Sequence, residues 1–503
     1  MWEVEVVKRM WFGSFMIIAL IAVGVWVFFQ SPFMQEKSAG ELNSSEQGQS
    51  ILDIQPIDAG SRPTKQFELT AKETDWEIQT GESVNAWTYN GTVPGEALRV
   101  QQGDFVQVEL HNELEVPVTI HWHGVILPNR MDGVPGVTQD AVEPGESFTY
   151  EFIAEDAGTY WYHSHQHSSL QVDKGLYGPL VVEEKGEKPE HDEVFILDEW
   201  AVNQDRENWT NMGGMMMGSM QGDGEADTKE MYDTFTVNGK AGDAIDPLRM
   251  EEGETARLRF VNAGYQLHRL VFPEGSMEML AVDAEPVQSS GERNVLEIAP
   301  GERIDVLYTK GKDDEIIGEM PSVENSQDMQ IPVLSSDSSG ENLQVTGKDP
   351  ATSKGTSYAS KDLLFDTVPD VDVSYDMNLS MGMNMGEGMI WQINDRVFPE
   401  TPPIQVEKGD IVKVDITNEG RLNHPMHLHG HRFQVEAEDG GAVVKDLINV
   451  KPGESYTIYF EADNKGEWLF HCHDNNHADR GMVTIVDYTS VFSPFELNQT
   501  NQP

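Results

Sequence analysis

Val406-Glu-Lys-Gly409-Asp-Ile-Val-Lys-Val-Asp-Ile416 joins a glycine turn to a run in which apolar and polar residues alternate. Such alternation predicts a β-strand with one buried face. Related versions of this segment occupy residues 100–110, around Gly103, and residues 250–260, around Gly253. Self-similarity of this kind predicts a chain built from three copies of one β unit.

A second motif, Pro-Gly-Glu followed by another alternating run, begins at Pro144, Pro300 and Pro452, once in each copy. Gly and Pro are frequent and long runs of helical periodicity are scarce, a pattern that is typical of Greek-key β-sandwiches. The 503 residues are enough for three such domains, each with a core of its own. We therefore expect an all-β fold of three sandwich domains.

Shifts in composition set the expected domain limits. The sandwich domains are predicted at residues 66–185, 186–345 and 362–490, with a Ser-, Thr-, Gly- and Lys-rich linker at 346–361. Residues 491–503 are predicted to form a tail that is frayed from Asn498 onward. At the other end we expect an acidic stalk rich in Ser and Gln at residues 31–65, preceded by an N-terminal anchor or signal segment at residues 1–30.

The N-terminal segment has the features of a membrane span. Lys8 and Arg9 precede about twenty largely apolar residues at 10–29, a run that is long enough to cross a bilayer. The basic residues in front favour an orientation with the body of the protein outside the cytoplasm. No Ala-x-Ala follows closely and no cysteine is available for a lipid, so we expect an uncleaved anchor and a cell-surface protein. Secretion after signal cleavage is the alternative.

The charge balance excludes one class of partner. The chain has 86 acidic and 34 basic residues, a formal net charge of −52, which would repel nucleic acid. A solvated acidic coat suited to salty or alkaline surroundings is the favoured interpretation, and an increased local concentration of cations is the other. The single cysteine excludes intrachain disulfides. We expect a monomer.

That cysteine, Cys472, lies within His471-Cys472-His473-Asp-Asn-Asn-His477, and Met482 follows shortly after. One thiolate, nearby imidazoles and a weak axial thioether are the ligands of a blue-copper site. Because successive side chains of a strand point to opposite faces, His471 and His473 share one face and Cys472 takes the other. The tripeptide can therefore serve two metal centres that are joined by a short covalent path.

Partner histidines occur in three further clusters: His121-Trp-His123, His163-Ser-His165 and His424-Pro-Met-His427-Leu-His429. The pairs 121/123 and 427/429 lie 18 and 20 residues after the repeat glycines Gly103 and Gly409. The pairs 163/165 and 471/473 lie 19 and 21 residues after the Pro-Gly-Glu prolines Pro144 and Pro452. The first and third copies therefore carry equivalent histidine pairs.

The middle copy has no imidazole at the corresponding positions, which are Val271, Pro273, Glu319 and Pro321. His268 lies nearby, but one histidine alone cannot build a metal site. We therefore expect the middle copy to be a spacer without copper ligands. The first and third copies must then meet to share a metal cluster.

With all four motifs present, the chain resembles the three-domain multicopper oxidases, the family of laccases and bacterial copper-tolerance oxidases. The resemblance extends from about Phe67 to Asp487. It implies cupredoxin-like domains and four copper ions, one type 1, one type 2 and a type 3 pair, which together reduce dioxygen to water. It places the type 1 copper on His424, Cys472, His477 and axial Met482, and the type 2 copper on His121 and His427. The type 3 pair would be held by His123, His163, His165, His429, His471 and His473.

Proton supply is the next requirement of that reaction. Asp132, in Arg-Met-Asp-Gly, matches a family acid near the copper cluster, and we expect it to be a proton donor or a hydrogen-bonding residue that orients a ligand. A simple turn aspartate before Gly133 is the alternative. Several bacterial relatives have a glutamate directly after the last type 1 histidine, but here that residue is Ala478. The route of protons on that side stays open.

Two methionine-rich stretches bear on the substrate. Gly, Ser and Asn separate the methionines, so we expect flexible, exposed loops. Exposed thioethers are soft ligands that prefer Cu(I), and copper-tolerance members of the family have similar segments. The candidate Cu(I) ligands are Met212, Met215, Met216, Met217, Met220, Met381, Met383, Met385 and Met389. A hydrophobic lid over an organic-substrate cleft and a sacrificial oxidation buffer are the alternatives.

These features predict an oxidase that takes electrons from Cu(I) or an organic reductant, with Cys472 in the electron path and copper tolerance as its role. One alternative is a laccase acting on phenols or aromatic amines. An alternative from another class is a surface protein that sequesters copper with little turnover. Copper nitrite reductase fits less well, since those chains have two repeats.

Overall fold

The computed structural model describes residues 48–503 except 55–56, 187–188, 203–231, 290–293, 320–328, 341–342, 344, 346–357, 385–387, 437–441 and 499. Within this part of the chain the α-helices are short, namely α1 at Ser168–Gln171 and α2 at Asn475–Asp479. Single 3-10 turns lie at Ile51–Asp53, Asn129–Met131 and Gly242–Ala244. Nearly all other regular structure is β, so the all-β prediction is confirmed.

The strands near the N-terminus form the first sandwich. After β1 (Gln49–Ser50) come β2 (Thr64–Gln79), β3 (Glu82–Tyr89), β4 (Leu98–Gln101), β5 (Phe105–Asn112), β6 (His121–His123), β7 (Ser147–Ile153), β8 (Gly158–His163) and β9 (Tyr177–Glu183). Two four-stranded sheets result, with strand orders β3-β2-β5-β7 and β4-β9-β8-β6.

The middle sandwich has a seven-stranded and a five-stranded sheet, ordered β11-β10-β13-β18-β15-β16-β21 and β12-β20-β19-β14-β17. Its strands are β10 (His191–Trp200), β11 (Thr234–Val237), β12 (Leu248–Arg249), β13 (Thr255–Asn262), β14 (His268–Val271), β15 (Met277–Val282), β16 (Glu285–Ser289), β17 (Val295–Ile298), β18 (Arg303–Thr309), β19 (Glu315–Glu319), β20 (Gln330–Leu334) and β21 (Tyr358–Ser360).

The third sandwich has sheets ordered β23-β22-β25-β30-β27-β28 and β24-β32-β31-β26-β29. Its strands are β22 (Val373–Asn384), β23 (Gly388–Ile393), β24 (Ile404–Val406), β25 (Ile411–Asn418), β26 (His424–Leu428), β27 (Phe433–Glu436), β28 (Ala442–Lys445), β29 (Leu447–Val450), β30 (Ser455–Glu461), β31 (Glu467–Cys472) and β32 (Val483–Tyr488). The last strand, β33 (Val491–Phe492), pairs with β1.

The repeated sequence segments occupy the same position in each sandwich. The strands β5, β13 and β25 each pair in parallel with a preceding strand and antiparallel with the strand that follows Pro-Gly-Glu. The turn glycines Gly103, Gly253 and Gly409 have φ angles of 87°, 82° and 98°, a conformation that side chains disfavour. The apolar residues of these strands, such as Val108, Leu258 and Val414, are fully buried.

The second sheet of each sandwich positions the histidine strands. β6 pairs antiparallel with β8, so that His121 lies opposite His163. β26 pairs with β31 in the same way, and His427 lies opposite His471. The equivalent pair in the middle sandwich, β14 and β19, has Leu270 opposite Glu319. Among the described strands, the outer sandwiches are therefore the ones that bring imidazoles together at this place.

Both ends of the described chain pack against the body, and residues 31–47 of the predicted stalk lie outside the described part. Ile51, in the predicted stalk, is fully buried in the core. The tail residue Asn501 is 5% exposed, accepts a hydrogen bond from the backbone of Ala141 (2.9 Å) and donates one to Asp140 Oδ1 (2.7 Å). The prediction of a frayed end was wrong because these polar contacts with the first sandwich fix the last residues.

No helix among the described residues is long and apolar enough to span a membrane. The predicted anchor at residues 1–30 lies outside the described part of the chain.

Candidate metal centres

One candidate metal centre lies at the end of β31 and is formed by His424, Cys472 and His477. Cys472 Sγ is 3.7 Å from His424 Nδ1 and 3.5 Å from His477 Nδ1, and the two Nδ1 atoms are 3.2 Å apart. All three side chains are buried. Two imidazole nitrogens and one thiol sulfur therefore converge on a single point, as the sequence motif predicts.

Short-range structure holds this arrangement. The side chain of Asp474 caps α2 by accepting a hydrogen bond from the backbone of Asn476, and α2 carries His477. The backbone N–H of Cys472 donates to the carbonyl of Met482, whose own N–H donates to the carbonyl of His477. Met482 is fully buried. Burial raises the pKa of the Cys472 thiol, so the thiolate requires a nearby cation.

A second and larger cluster lies between the first and third sandwiches. The rings of His123 and His427 stack with centroids 3.7 Å apart, and those of His121 and His429 stack at 3.9 Å. The cluster contains three triads, in each of which the potential ligand atoms lie within 4.8 Å of one another: His121, His123 and His427; His123, His163 and His473; His165, His429 and His471. The eight predicted imidazoles are thus brought together.

Hydrogen bonds fix how several of these rings face the cluster. The Nδ1 atoms of His121, His163, His427 and His471 lie 2.8–3.0 Å from backbone carbonyls. Donation by Nδ1–H leaves Nε2 as the free ligand atom, which is the usual arrangement of metal-binding histidines. His429 Nε2 and His471 Nε2 approach to 2.9 Å. Two acceptor nitrogens at this distance need a cation or a proton between them.

The remaining ring nitrogens also match a metal cluster. Buried nitrogens without a hydrogen-bond partner include Nε2 of His121, His163 and His427 and both ring nitrogens of His123, His165 and His473. Unpaired buried polar atoms are costly, so their convergence indicates a ligand. Burial, and repulsion among the rings, lowers the pKa values of the histidines at 123, 163, 165, 429, 471 and 473. These imidazoles are therefore neutral and available to copper.

Comparison with known proteins identifies the family. Sequence models described as multicopper oxidase match residues 70–187, 194–316 and 370–490. The chain is 31% identical to multicopper oxidase MmcO of Mycobacterium tuberculosis, over 81% of this chain and 84% of that protein. The chain belongs to the multicopper oxidase family.

Other relatives agree with this assignment. Copper resistance protein A of Escherichia coli is 25% identical over 86% of this oxidase and 93% of its own length. Among solved structures, a multicopper oxidase from Pseudomonas thermotolerans is 28% identical, with a TM-score of 0.66 over 85% of this chain and 100% of the other. A laccase from Botrytis aclada is 25% identical, with a TM-score of 0.69 over 90% and 92% of the two chains.

Multicopper oxidases use four copper ions, one type 1, one type 2 and a type 3 pair. The two clusters of this oxidase fit that requirement. The thiol-containing centre suits type 1 copper, and the all-imidazole cluster, with its orphaned nitrogens, suits the other three ions.

Asp132 lies against two of the imidazoles. Its Oδ2 is 2.8 Å from His429 Nδ1 and its Oδ1 is 3.2 Å from His121 Nδ1, while its backbone carbonyl accepts from the same His121 nitrogen. Asp132 is fully buried. These contacts support the orienting role over that of a simple turn residue. His431 is also next to the cluster, bonded to the carbonyl of His429 and to Tyr488.

The second methionine-rich stretch is not a loop. Met377, Met381 and Met383 lie on β22 and Met389 on β23, which form an antiparallel hairpin. Met377 is fully buried, whereas Met383 is 62% exposed. The expectation of flexible loops was wrong here because cross-strand pairing outweighs the weak propensity of the Gly- and Asn-containing sequence. Met385 and the whole of residues 211–220 lie outside the described part of the chain.

Sequence reasoning missed three residues near the copper sites. Trp391 covers the thiol centre, with its ring centroid 3.8 Å from that of His477 and 5.5 Å from that of His424. Asp446 and Arg303 form an ion pair beside the imidazole cluster. Asp446 Oδ1 is 3.5 Å from His427 Nδ1. None of the three belongs to a histidine motif, and the closeness of Trp391 to Met389 in the sequence is the one feature that could have indicated its position.

A carboxyl group also lies near the thiol centre, next to Ala478 in the chain. The neighbouring Asp479 accepts a hydrogen bond from the hydroxyl of Ser168 (3.2 Å).

His268 is not among the residues of the thiol centre or of the three imidazole triads. Its Nδ1 is 2.9 Å from Glu319 Oε2 and its Nε2 is 3.3 Å from Glu199 Oε2, so both ring nitrogens are occupied by carboxylates. Glu319 is the residue at the vacant histidine position of the middle copy. A buried imidazolium with two carboxylates therefore replaces a metal site in the middle sandwich.

Proposed function

We propose that this multicopper oxidase is a cuprous oxidase, in which Cu(I) is the electron donor and dioxygen is reduced to water. The proposed type 1 ligands are His424, Cys472, His477 and Met482. The proposed type 2 ligands are His121 and His427, and the proposed type 3 ligands are His123, His163, His165, His429, His471 and His473. Copper supplies one-electron redox chemistry and the means of binding dioxygen.

The protein's own residues connect and shape these sites. Cys472 is covalently flanked by His471, its neighbour on β31, and by His473, directly after the strand ends, so a short backbone path joins the thiol centre to the imidazole cluster. Asp132 orients His429 and His121. Because dioxygen reduction also consumes protons, the buried carboxyl of Asp132 is the group that we assign to proton supply on this side.

The methionine hairpin is the observation that carries the choice of Cu(I). Met381 is the cross-strand partner of Trp391, and Met383 is the partner of Met389. Cross-strand partners, and residues two apart on one strand, share a face. The thioethers therefore form a patch that begins at exposed Met383 and ends at Trp391, against His477. Thioethers are soft ligands that favour Cu(I) over harder ions.

The test is dioxygen uptake by the copper-loaded protein with chelator-buffered Cu(I) as the only donor. Replacement of Met381, Met383 and Met389 by Leu removes the sulfurs at similar volume. We expect KM for Cu(I) to rise by about tenfold or more, which corresponds to the loss of about 1.4 kcal/mol of binding. Turnover of a simple phenol should stay unchanged. Met277→Leu, at a partly buried methionine of the middle sandwich, is the matched control.

Two competing functions predict other results. If the protein is a laccase, the triple variant keeps its KM for Cu(I), and phenol turnover exceeds Cu(I) turnover in the unchanged protein. If it is a copper-sequestering protein, it binds more copper than the four family ions without consuming dioxygen. Deletion of residues 211–220 should also raise KM for Cu(I), since those methionines are proposed to capture the same ion.

We also propose the setting and the layout of the chain. The apolar segment at residues 10–29 and its basic flank support a membrane anchor with the oxidase body on the cell surface. We further propose that the protein is a monomer. The matched ranges 70–187, 194–316 and 370–490 support the proposed domain limits 66–185, 186–345 and 362–490. The copper resistance relatives support a role in copper tolerance.

A further inference from the structure

Asp446 lies beside the imidazole cluster, at an interruption between two strands. It lies in the bend between β28 and β29, outside both strands. Its backbone carbonyl is 2.9 Å from His427 Nδ1, and its Oδ1 lies 3.5 Å from the same nitrogen and 3.7 Å from His123 Nε2. The position of this residue therefore sets the tautomer and orientation of His427.

The group that holds Asp446 comes from the middle sandwich. Arg303 donates from Nη1 to Asp446 Oδ1 (2.7 Å) and from Nη2 to Asp446 Oδ2 (2.5 Å), which is a bidentate pair. The guanidinium also contacts the carbonyl of Thr159 in the first sandwich (3.3 Å) and the carboxylate of Asp283 in its own (3.2 Å). Arg303 is 1% exposed. One side chain thus links all three sandwiches beside the cluster.

Two further contacts join the middle sandwich to the cluster. Lys445, next to Asp446, donates to Glu302 Oε1 (2.5 Å) and lies 3.2 Å from Asp283 Oδ2. Glu302 therefore holds Lys445 as its neighbour Arg303 holds Asp446. Gly124, directly after His123, lies so close to the guanidinium that a Cβ there would overlap with Arg303 and Asp446. The histidine motif of the first sandwich therefore leaves space for Arg303.

From these contacts we propose that Arg303 is a positioning residue for the type 2 copper, an inference that rests on the copper assignments proposed above. The planar fork of Arg303 fixes Asp446, and the Asp446 carbonyl fixes His427 with Nε2 directed into the cluster. The middle sandwich, which has no copper ligand of its own among its described residues, then determines the geometry of the copper cluster. The described hydrogen bonds and ion pairs of Arg303 do not include His424, Cys472 or His477, so the copper of the thiol centre is independent of this pair.

The test is Arg303→Lys, which keeps the charge but removes the fork. Loss of partners that orient metal ligands typically lowers metal affinity by about 10- to 100-fold. We expect that loss for one copper only, measured by chelator competition, together with a changed or missing type 2 signal in the electron paramagnetic resonance spectrum. The type 1 absorption band should be unchanged.

Arg259→Lys is the matched control. Arg259 is 3% exposed, forms a bidentate pair with Asp192 (2.5 and 2.8 Å) and also contacts Thr159 across the sandwich boundary. Its described partners do not include Asp446. A purely structural role for buried arginines predicts equal effects of the two variants on unfolding temperature and no change in the type 2 signal, a result that would overturn the proposal.

Asp446→Asn provides a second test if Arg303→Lys does not fold. It retains the backbone carbonyl and nearly the same volume but loses the ionic partner of the guanidinium. The same selective loss of one copper is expected. Full occupancy by four tightly held copper ions, with an unchanged type 2 signal, in either folded variant would contradict the role of Arg303.

Discussion

Replacement of His268 by Gln should destabilise the middle sandwich in a way that depends on pH. His268 is 1% exposed and lies between Glu319 and Glu199. Burial alone would lower its pKa, but the two carboxylates raise the pKa of His268 to about 10. Relative to an ordinary histidine pKa of about 6.5, this difference corresponds to at most about 5 kcal/mol in favour of the folded state. The neutral amide of His268→Gln would leave two buried carboxylates without a cation, and breaking such a group typically costs about 3–5 kcal/mol.

The sign of the pH effect follows from the raised pKa. The contribution of His268 is fully present below about pH 6.5, where the unfolded chain is also protonated, and it is lost as the pH rises through about 10. The stability difference between the unchanged protein and the variant should therefore be largest near pH 6.5 and shrink steadily toward pH 10.

Hydrogen exchange of peptides covering β14 and β19 measures the opening of this region without requiring the whole chain to unfold in one step. His111→Gln is the control, since the His111 side chain is 39% exposed and lies 3.7 Å from Glu109. This variant should leave the exchange of these peptides unchanged at every pH. Equal protection of β14 in the unchanged protein and in His268→Gln, or a stability difference that is constant from pH 6.5 to 10, would refute the proposed imidazolium triad.

Three further predictions concern the metal centres and the tail. Cys472→Ser should lose the intense blue absorption and one copper while retaining the type 2 signal, and a variant that stays blue would exclude the thiol centre as the type 1 site. Gly301→Ala should disturb the copper cluster, because its Cβ would lie 2.6 Å from Leu447 Cδ1 and 2.8 Å from His473 Cγ. The control Gly453→Ala has a similar positive φ and nothing within 4 Å, so it should cost only about 1–2 kcal/mol of backbone strain and leave copper binding intact. Copper content and spectra of the two variants distinguish these outcomes. Asn501→Ala should lower the unfolding temperature by removing hydrogen bonds to Ala141 and Asp140, worth about 1–3 kcal/mol together, and an unchanged melting curve would show that the tail does not stabilise the body.

The three-sandwich fold and the convergence of the imidazoles were accessible from the sequence because both depend on repeated spacing. Strand alternation places residues on faces, and equal distances from Gly103 and Gly409 put the histidine pairs at equivalent points of two sandwiches. Because the middle copy has no imidazole at these positions, a shared metal cluster could be expected only where the first and third sandwiches meet.

Features that depend on side chains from distant parts of the chain were not accessible. Arg303 and Asp446 are far apart in sequence and belong to no histidine motif, so only tertiary packing reveals that they meet. The β22–β23 hairpin was mistaken for a loop because its Gly, Asn and Met residues have weak strand propensity, while its pairing with β25 stabilises it. The packing of Asn501 on the first sandwich likewise rests on contacts that no local pattern indicates.

The most direct test of the proposed function is the stoichiometry of the reaction. The copper-loaded protein is given chelator-buffered Cu(I), and the Cu(II) formed, the dioxygen consumed and any peroxide are measured together. Complete reduction to water predicts four Cu(I) oxidised per dioxygen, saturable kinetics and no peroxide. A ratio of two with stoichiometric peroxide, or Cu(I) oxidation no faster than in the protein-free control, would contradict a cuprous oxidase built on these two centres.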